Sequence, residues 1–159
     1  MPNWVMDALA RLRSLYDRER EKNRISSPEI LGSISAVEIL YLFQEHEKSE
    51  DTAPYKFFDG KYNLTLLEEV MRFVKWARLN ELKYIDELQD CDDYAFGLVG
   101  KFCSQTIWNS LPVGVVVAGN HVLCCVVAIK DSKPQLFFIE PQTSECVSVT
   151  DKIWMVLIP

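Results

Sequence analysis

The chain has 159 residues, of which 48% are hydrophobic and 25% charged. These proportions suit one folded domain and exclude predominant disorder. Its 23 acidic residues outnumber 17 basic ones, and the net charge of −6 has the wrong sign for a nucleic-acid partner. No apolar run reaches the roughly 18 residues of a membrane helix, and the opening Met1-Pro2-Asn3-Trp4 lacks a secretory-leader pattern, so a cytoplasmic protein without membrane contact is expected.

The first part of the chain reads as helical. Val5, Leu9, Leu12 and Tyr16 fall on one helical face, and the alternating charges of Asp17 to Lys22 suit the solvated end of that helix. A polar break over Asn23 to Pro28 follows. Ser35-Ala36-Val37-Glu38 has capping-box spacing and opens a helix through about Phe43. Glu45 to Pro54 reads as a loop, with His46 on an exposed helix end, and Asp59-Gly60 as a turn. Thr65-Leu66-Leu67-Glu68 repeats the capping-box spacing ahead of Leu67, Val70, Met71, Val74 and Ala77. Asn63 is thus read as part of a helix cap, although it opens a formal glycosylation sequon. The next helix starts at Cys91, is spaced by Ala95, Leu98, Val99 and Phe102, and is expected to end near Trp108 before Pro112.

Beyond residue 110 the pattern becomes that of strands. Val113–Ala118, His121–Ile129, Gln135–Glu140, Cys146–Val149 and Ile153–Ile158 are the expected five. They are linked by a Gly119-Asn120 turn and a Lys130–Pro134 hairpin loop, and links this short imply antiparallel neighbours. The expected fold class is α+β, one domain over 1–159. A helical half, 1–110, packs on an antiparallel sheet half, 111–159.

Five cysteines without a secretory pattern read as reduced thiols, and no CxxC pair marks a zinc site. Cys124 and Cys125 read as buried apolar residues on opposite faces of a strand. The four tryptophans read as core. Cys91 differs, because it opens a helix, where partial positive charge and free amides stabilise a thiolate. Its stripe, shared with Ala95, Leu98 and Phe102, must pack on the sheet. His121 opens a strand. A four-residue hairpin loop sets Leu123 opposite Glu140, and a two-residue loop pairing Ile129 with Ser132 sets His121 there. Both place His121 and Glu140 on one face within reach, where the acid would fix the imidazole tautomer. No GxGxxG, Walker loop or GxSxG occurs.

A helix-start cysteine followed by a strand-start histidine and an acid on the next strand resembles the papain-like and transglutaminase-like cysteine hydrolases. Cys91-Asp92-Asp93, His121 and Glu140-Pro141-Gln142 are similar to motifs in the protease-like C-terminal domain of the fungal Marasmius-type lectins, over roughly residues 84 to 142. The resemblance implies a papain-like fold and a cysteine peptidase acting on a peptide or protein substrate. Cys91 would be the nucleophile, His121 the general base and then acid, and Glu140 the residue orienting His121. An amidase or an acyl-transferring enzyme shares this chemistry. The resemblance also implies calcium dependence, carried onto Asp92, Asp93 and Gln142, and a homodimer to be tested. Five acids, Asp86, Glu87, Asp90, Asp92 and Asp93, crowd the helix start. They suit either helix-dipole stabilisation or a hard cation offsetting their effect on a thiolate. The glutamine that papain-like enzymes carry upstream of the nucleophile has no counterpart, since Tyr84 and Ile85 stand there and Gln89 is nearer. That departure motivates the alternative, a non-catalytic binding or dimerisation module on a papain-like frame.

Overall fold

The computed structural model describes Arg13 and residues 24–47, 53–85 and 89–159. The helix expected over Val5–Tyr16, the charged run to Lys22, Trp4, residues 48–52 of the expected loop, Asp86 and Glu87 lie outside the described residues.

The described elements run β1 (Gly32–Ser35), α1 (Ala36–Glu47), β2 (Tyr55–Phe57), β3 (Lys61–Leu64), α2 (Leu67–Ala77), α3 (Cys91–Cys103), β4 (Val113–Ala118), β5 (His121–Lys130), β6 (Lys133–Glu140), β7 (Glu145–Val147) and β8 (Ile153–Ile158). Helices come early and the main sheet late, an α+β arrangement. The six-stranded sheet has the order β2-β8-β4-β5-β6-β7, and β1 pairs with β3 in a separate two-stranded sheet. The earlier half therefore contributes strands as well as helices. The main sheet is not wholly antiparallel either, because β2 joins β8 in parallel.

Local chemistry explains the helix starts. At α1 the Ser35 N–H donates to Glu38 Oε2 at 2.8 Å, and the Glu38 N–H returns to Ser35 Oγ at 3.3 Å, a reciprocal box that satisfies two otherwise orphan donors. Thr65 makes no such cap, contrary to its spacing. Leu66 is the cap residue of α2. Thr65 is buried, donates its hydroxyl to the Glu29 carbonyl at 2.6 Å, and accepts the Ile129 N–H on its own carbonyl at 2.8 Å. Asn63 lies on β3, not in a cap, and its side-chain amide donates to Ser110 Oγ at 3.0 Å. Helix α3 ends at Cys103, ahead of the expected Trp108, which opens a separate short 3-10 turn.

Side chains from the main sheet enter two cores, one on each face. On the first, α2 and α3 bring Phe73, Leu98 and Phe102 against Val113, Val115, Cys124, Val126, Ala128 and Ile139. Trp108 is fully buried there, with ring centroids 4.6 Å from Phe73 and 5.9 Å from Phe102. On the second, α1, β1 and β3 bring Ile39, Phe43, Ile34 and Tyr62 against Val116, Leu123, Cys125, Val127, Phe138 and Val156. The even-numbered residues of β5 thus serve one core and the odd-numbered ones the other, as strand alternation dictates. Cys124 and Cys125 are both solvent-inaccessible, and burial pushes the Cys125 thiol up to about 12. Gly114 on β4 is required by close approach: a Cβ there would meet the Leu157 carbonyl oxygen at 2.3 Å.

Candidate functional site

The β5–β6 hairpin sets the first part of the site. Ile129 pairs with Pro134 and Lys130 with Lys133, so the turn is the two residues Asp131 and Ser132. Both have positive φ, 51° and 62°, the conformation whose twist matches a two-residue hairpin. Counting on from the pairing of Cys124 with Ile139, this register sets Leu123 opposite Glu140, with His121 beyond it on the same face. The imidazole bridges the offset, with His121 Nε2 and Glu140 Oε2 at 2.6 Å. Glu140 is the more enclosed partner, its side chain 14% exposed against 40% for His121. Its second oxygen, Oε1, accepts the Gln142 N–H at 3.1 Å. The acid is therefore held by strand and turn together, and it fixes the orientation of the ring.

Asp90 and Cys91 form the second part, at the head of α3. Ile85 and Gln89 exchange backbone hydrogen bonds of 3.0 and 2.7 Å just upstream. Asp90 then caps the helix in a reciprocal box with Asp93, whose Oδ2 accepts the Asp90 N–H at 3.3 Å. Cys91 Sγ and carboxylate oxygens of Asp90 and Asp92 all lie within 4.8 Å of one another. A hydrogen bond to the Asp92 side chain, then desolvation and the charges of Asp92 and Asp93, push the Asp90 carboxyl above its usual range. Asp90 Oδ1 is closed to solvent and has no hydrogen-bond partner.

The two parts come from different elements, Cys91 from the head of α3 and His121 and Glu140 from the ends of β5 and β6. Helix α3 packs on the first core, where the Cys124 thiol donates to the Ala95 carbonyl at 3.4 Å. His121 continues the series Leu123, Cys125 and Val127, and Glu140 that of Phe138, all members of the second core. Among the described residues, no hydrogen bond joins Cys91 to His121 or Glu140.

The metal candidates divide as well. Asp92 belongs to the cluster beside Cys91. Asp93 spends Oδ2 on the helix cap, and Gln142 donates its N–H to Glu140. Asp90, which the sequence reading placed only in the acidic run, joins Asp92 instead. Two closely spaced carboxyls, one with an orphaned oxygen, fit a hard divalent cation; the soft sulfur of the same cluster does not. The signal that could have singled out Asp90 is its cap position, which turns its side chain back over the first turn.

His46 lies on the exposed end of α1, as expected. Its Nε2 contacts the Val149 carbonyl at 3.0 Å, and its ring lies 4.9 Å from that of Phe138. Of the described tryptophans, Trp108 is core, Trp76 is half-buried and Trp154 is exposed.

The fold is shared with a fungal lectin related to the Marasmius-type lectins. One solved structure, the "PSL1a-E64 complex", is 17% identical at a TM-score of 0.67 over 79% of this chain and 50% of that one. A second is the Polyporus squamosus lectin bound to the human-type influenza-binding epitope Neu5Acα2-6Galβ1-4GlcNAc. It is 17% identical at a TM-score of 0.63, over 79% of this chain and 49% of the lectin. The chain thus spans about half the length of the solved structures it matches. No family model and no curated protein matches it. The lectin match overturns the expectation of a cysteine peptidase: a protein that shares this frame is described by the sugar it holds. A hydrolase with a Cys-His-Glu catalytic triad gives way to the binding alternative.

Proposed function

We propose that this chain is a non-catalytic binding module on a papain-like frame, forming a single domain, and that its partner carries a saccharide. The observation that carries this reading is that His121 and Glu140 hydrogen-bond each other, while among the described residues no hydrogen bond joins either of them to Cys91. The surroundings of the thiol support it, since carboxylates beside a sulfur disfavour the thiolate that nucleophilic chemistry needs. The trisaccharide held by the Polyporus squamosus lectin supports a saccharide partner. Five free thiols support a reducing, cytoplasmic setting.

The same reading includes a hard cation such as calcium at the head of α3, with Asp90 and Asp92 as the residues that would hold it. When bound it supplies positive charge beside two closely spaced carboxyls. Millimolar calcium should raise the melting temperature relative to EDTA, by about 2.7 kcal/mol of stabilisation at a hundredfold excess over Kd. Asp90→Asn with Asp92→Asn should remove that rise, and an unchanged wild-type melting curve would end the cation proposal.

The module itself is tested by incubating it with denatured casein and mixed peptides, followed by mass spectrometry. Substrates are expected to stay intact with wild type and Cys91→Ala alike. Cleavage that disappears in Cys91→Ala would overturn the reading.

Self-association is a second reading with its own observation. Val37 and Tyr41, each 60% exposed, stand one turn apart on α1. Sedimentation should show a dimer that Tyr41→Glu dissociates; a wild-type monomer at high concentration removes this reading.

A further inference from the structure

Cys146 lies on β7, the edge strand beyond β6, directly opposite Ile139. Residues opposed across a ladder share a face, and Ile139 belongs to the first core. The Cys146 side chain therefore rises on the face that α2 covers. Met71 of α2 packs against that same core. The two sulfurs meet, with Cys146 Sγ and Met71 Sδ at 3.6 Å. A thiol and a thioether in contact are a pair of soft donors, one held by a helix and one by a strand. Sulfurs at this separation can each stand about 2.3 Å from a single shared ion.

The pair borders a cavity of about 420 Å³, which Lys75, Ser144 and Glu145 also line. Ser144 is 7% exposed, and its hydroxyl oxygen is buried without a hydrogen-bond partner. A buried hydroxyl left unpaired is costly and calls for a partner from the cavity it borders. The turn after β6 holds it there, with the Ser144 N–H donating to the Glu140 carbonyl at 2.8 Å. A ligand on the open side of an ion at the two sulfurs, such as water, would meet this oxygen with a hydrogen-bond donor.

Charge decides which ion suits. Burial pushes the Cys146 thiol up, against the smaller opposing pull of Lys130, so an ion must displace the thiol proton. On binding, the S–H bond gives way to a metal–thiolate bond and one proton leaves to solvent. Lys75 and Glu145 offset each other across the cavity, which leaves the charge of the pair itself to decide. A monovalent ion on the thiolate is neutral there. A divalent ion would keep one positive charge at a partly buried place, and zinc would find two sulfurs where it prefers four ligands.

We infer that Met71 and Cys146 form a site for a soft monovalent metal ion, copper(I) in chemical class, with the Ser144 hydroxyl anchoring the ligand on the open side of the ion. The site uses none of the groups at the head of α3, whose carboxylates offer hard oxygen donors instead.

The reduced protein is titrated anaerobically with copper(I) against the chelator bicinchoninate. Silver(I) serves as a redox-inert probe in NMR of isotope-labelled methionine methyl groups. The wild type should hold one equivalent of copper(I), and one equivalent of silver(I) should move the Met71 methyl signal, which zinc(II) should leave in place. Met71→Leu, close in volume, should keep the melting temperature and weaken copper(I) binding by at least about tenfold. Cys146→Ser should remove the bound equivalent, and Cys103→Ser, at the exposed thiol that ends α3, should retain it. Ser144→Ala should weaken binding by a smaller factor than Met71→Leu. A Met71 methyl signal that stays in place while Cys146 takes up silver(I) would reduce the site to a lone thiol and overturn the inference. That signal is read on the wild type, so it decides the question even where Met71→Leu fails to fold. Copper(I) affinity equal in Met71→Leu and wild type would overturn the inference as well, as would a loss in Cys103→Ser as large as in Cys146→Ser.

Discussion

The two faces of the main sheet are covered in different ways. On the first, α2 and α3 press Phe73, Phe102 and Trp108 into a stack, with the Phe73 and Phe102 centroids 3.8 Å apart. On the second, α1 and the β1–β3 pair lay Ile39, Phe43 and Tyr62 on the odd-numbered positions of β5, and the one histidine on α1 reaches across to the Val149 carbonyl. The parts of the candidate site stand at the ends of their elements: Cys91 at the head of α3, His121 and Glu140 at the ends of β5 and β6.

The contrast is broken most strongly at the aromatic stack. Phe102→Ala should cost about 3–5 kcal/mol in urea unfolding, because Phe73 and Trp108 both lose a ring neighbour and the backbone of α3 cannot collapse into the space. His121→Ala, which removes one hydrogen bond to Glu140 at a half-exposed position, should cost about 1 kcal/mol. Comparable losses would mean that the second face is the stiffer one.

Between them lies the seam common to both faces. Gly114→Ala places a Cβ against the Leu157 carbonyl oxygen and the Ile158 side chain. Backbone cannot move aside as a side-chain tip can, so β4 and β8 must separate locally. A destabilisation of about 1–3 kcal/mol is expected, with both faces losing protection in hydrogen exchange. Loss confined to one face would show that the two cores are coupled elsewhere.

The later strands were legible because their links are short and their apolar runs dense; the turns at Gly119-Asn120 and Asp131-Ser132 impose pairing locally. The box at Ser35 was legible for the same reason. The strands β1, β2 and β3 were not. They have three or four residues each, and β2 owes its conformation to a parallel partner about a hundred positions away, which no local pattern encodes. Thr65 shows the limit of a motif: its spacing matches that of Ser35, but the Ile129 N–H and the Glu29 carbonyl claim it first. At the candidate site, the contact of His121 with Glu140 followed from register alone. The place of Cys91 depends on what α3 packs against, and helical periodicity names an apolar stripe without naming its partner.

The smallest expected effect, and the one specific to the head of α3, is on pH dependence. Asp90 is held above the usual carboxylate range, first by its hydrogen bond to Asp92 and then by desolvation and the neighbouring charges. The folded state therefore binds its proton more tightly than the unfolded chain does. For such a group the contribution to stability is fully present below the unfolded value and is lost as pH rises through the folded one. Stability measured in EDTA should decline over that window, just above the ordinary aspartate range. Asp92→Asn removes the partner charge while keeping a side-chain donor for Asp90, so it should flatten the decline and raise stability at neutral pH. Only Asp92, Asp93 and burial act on Asp90, so Glu140→Gln should leave the slope in that window unchanged. If Glu140→Gln flattened it as Asp92→Asn does, the two parts of the site would be electrostatically joined, and the pair at the ends of β5 and β6 would act on the same proton as the head of α3.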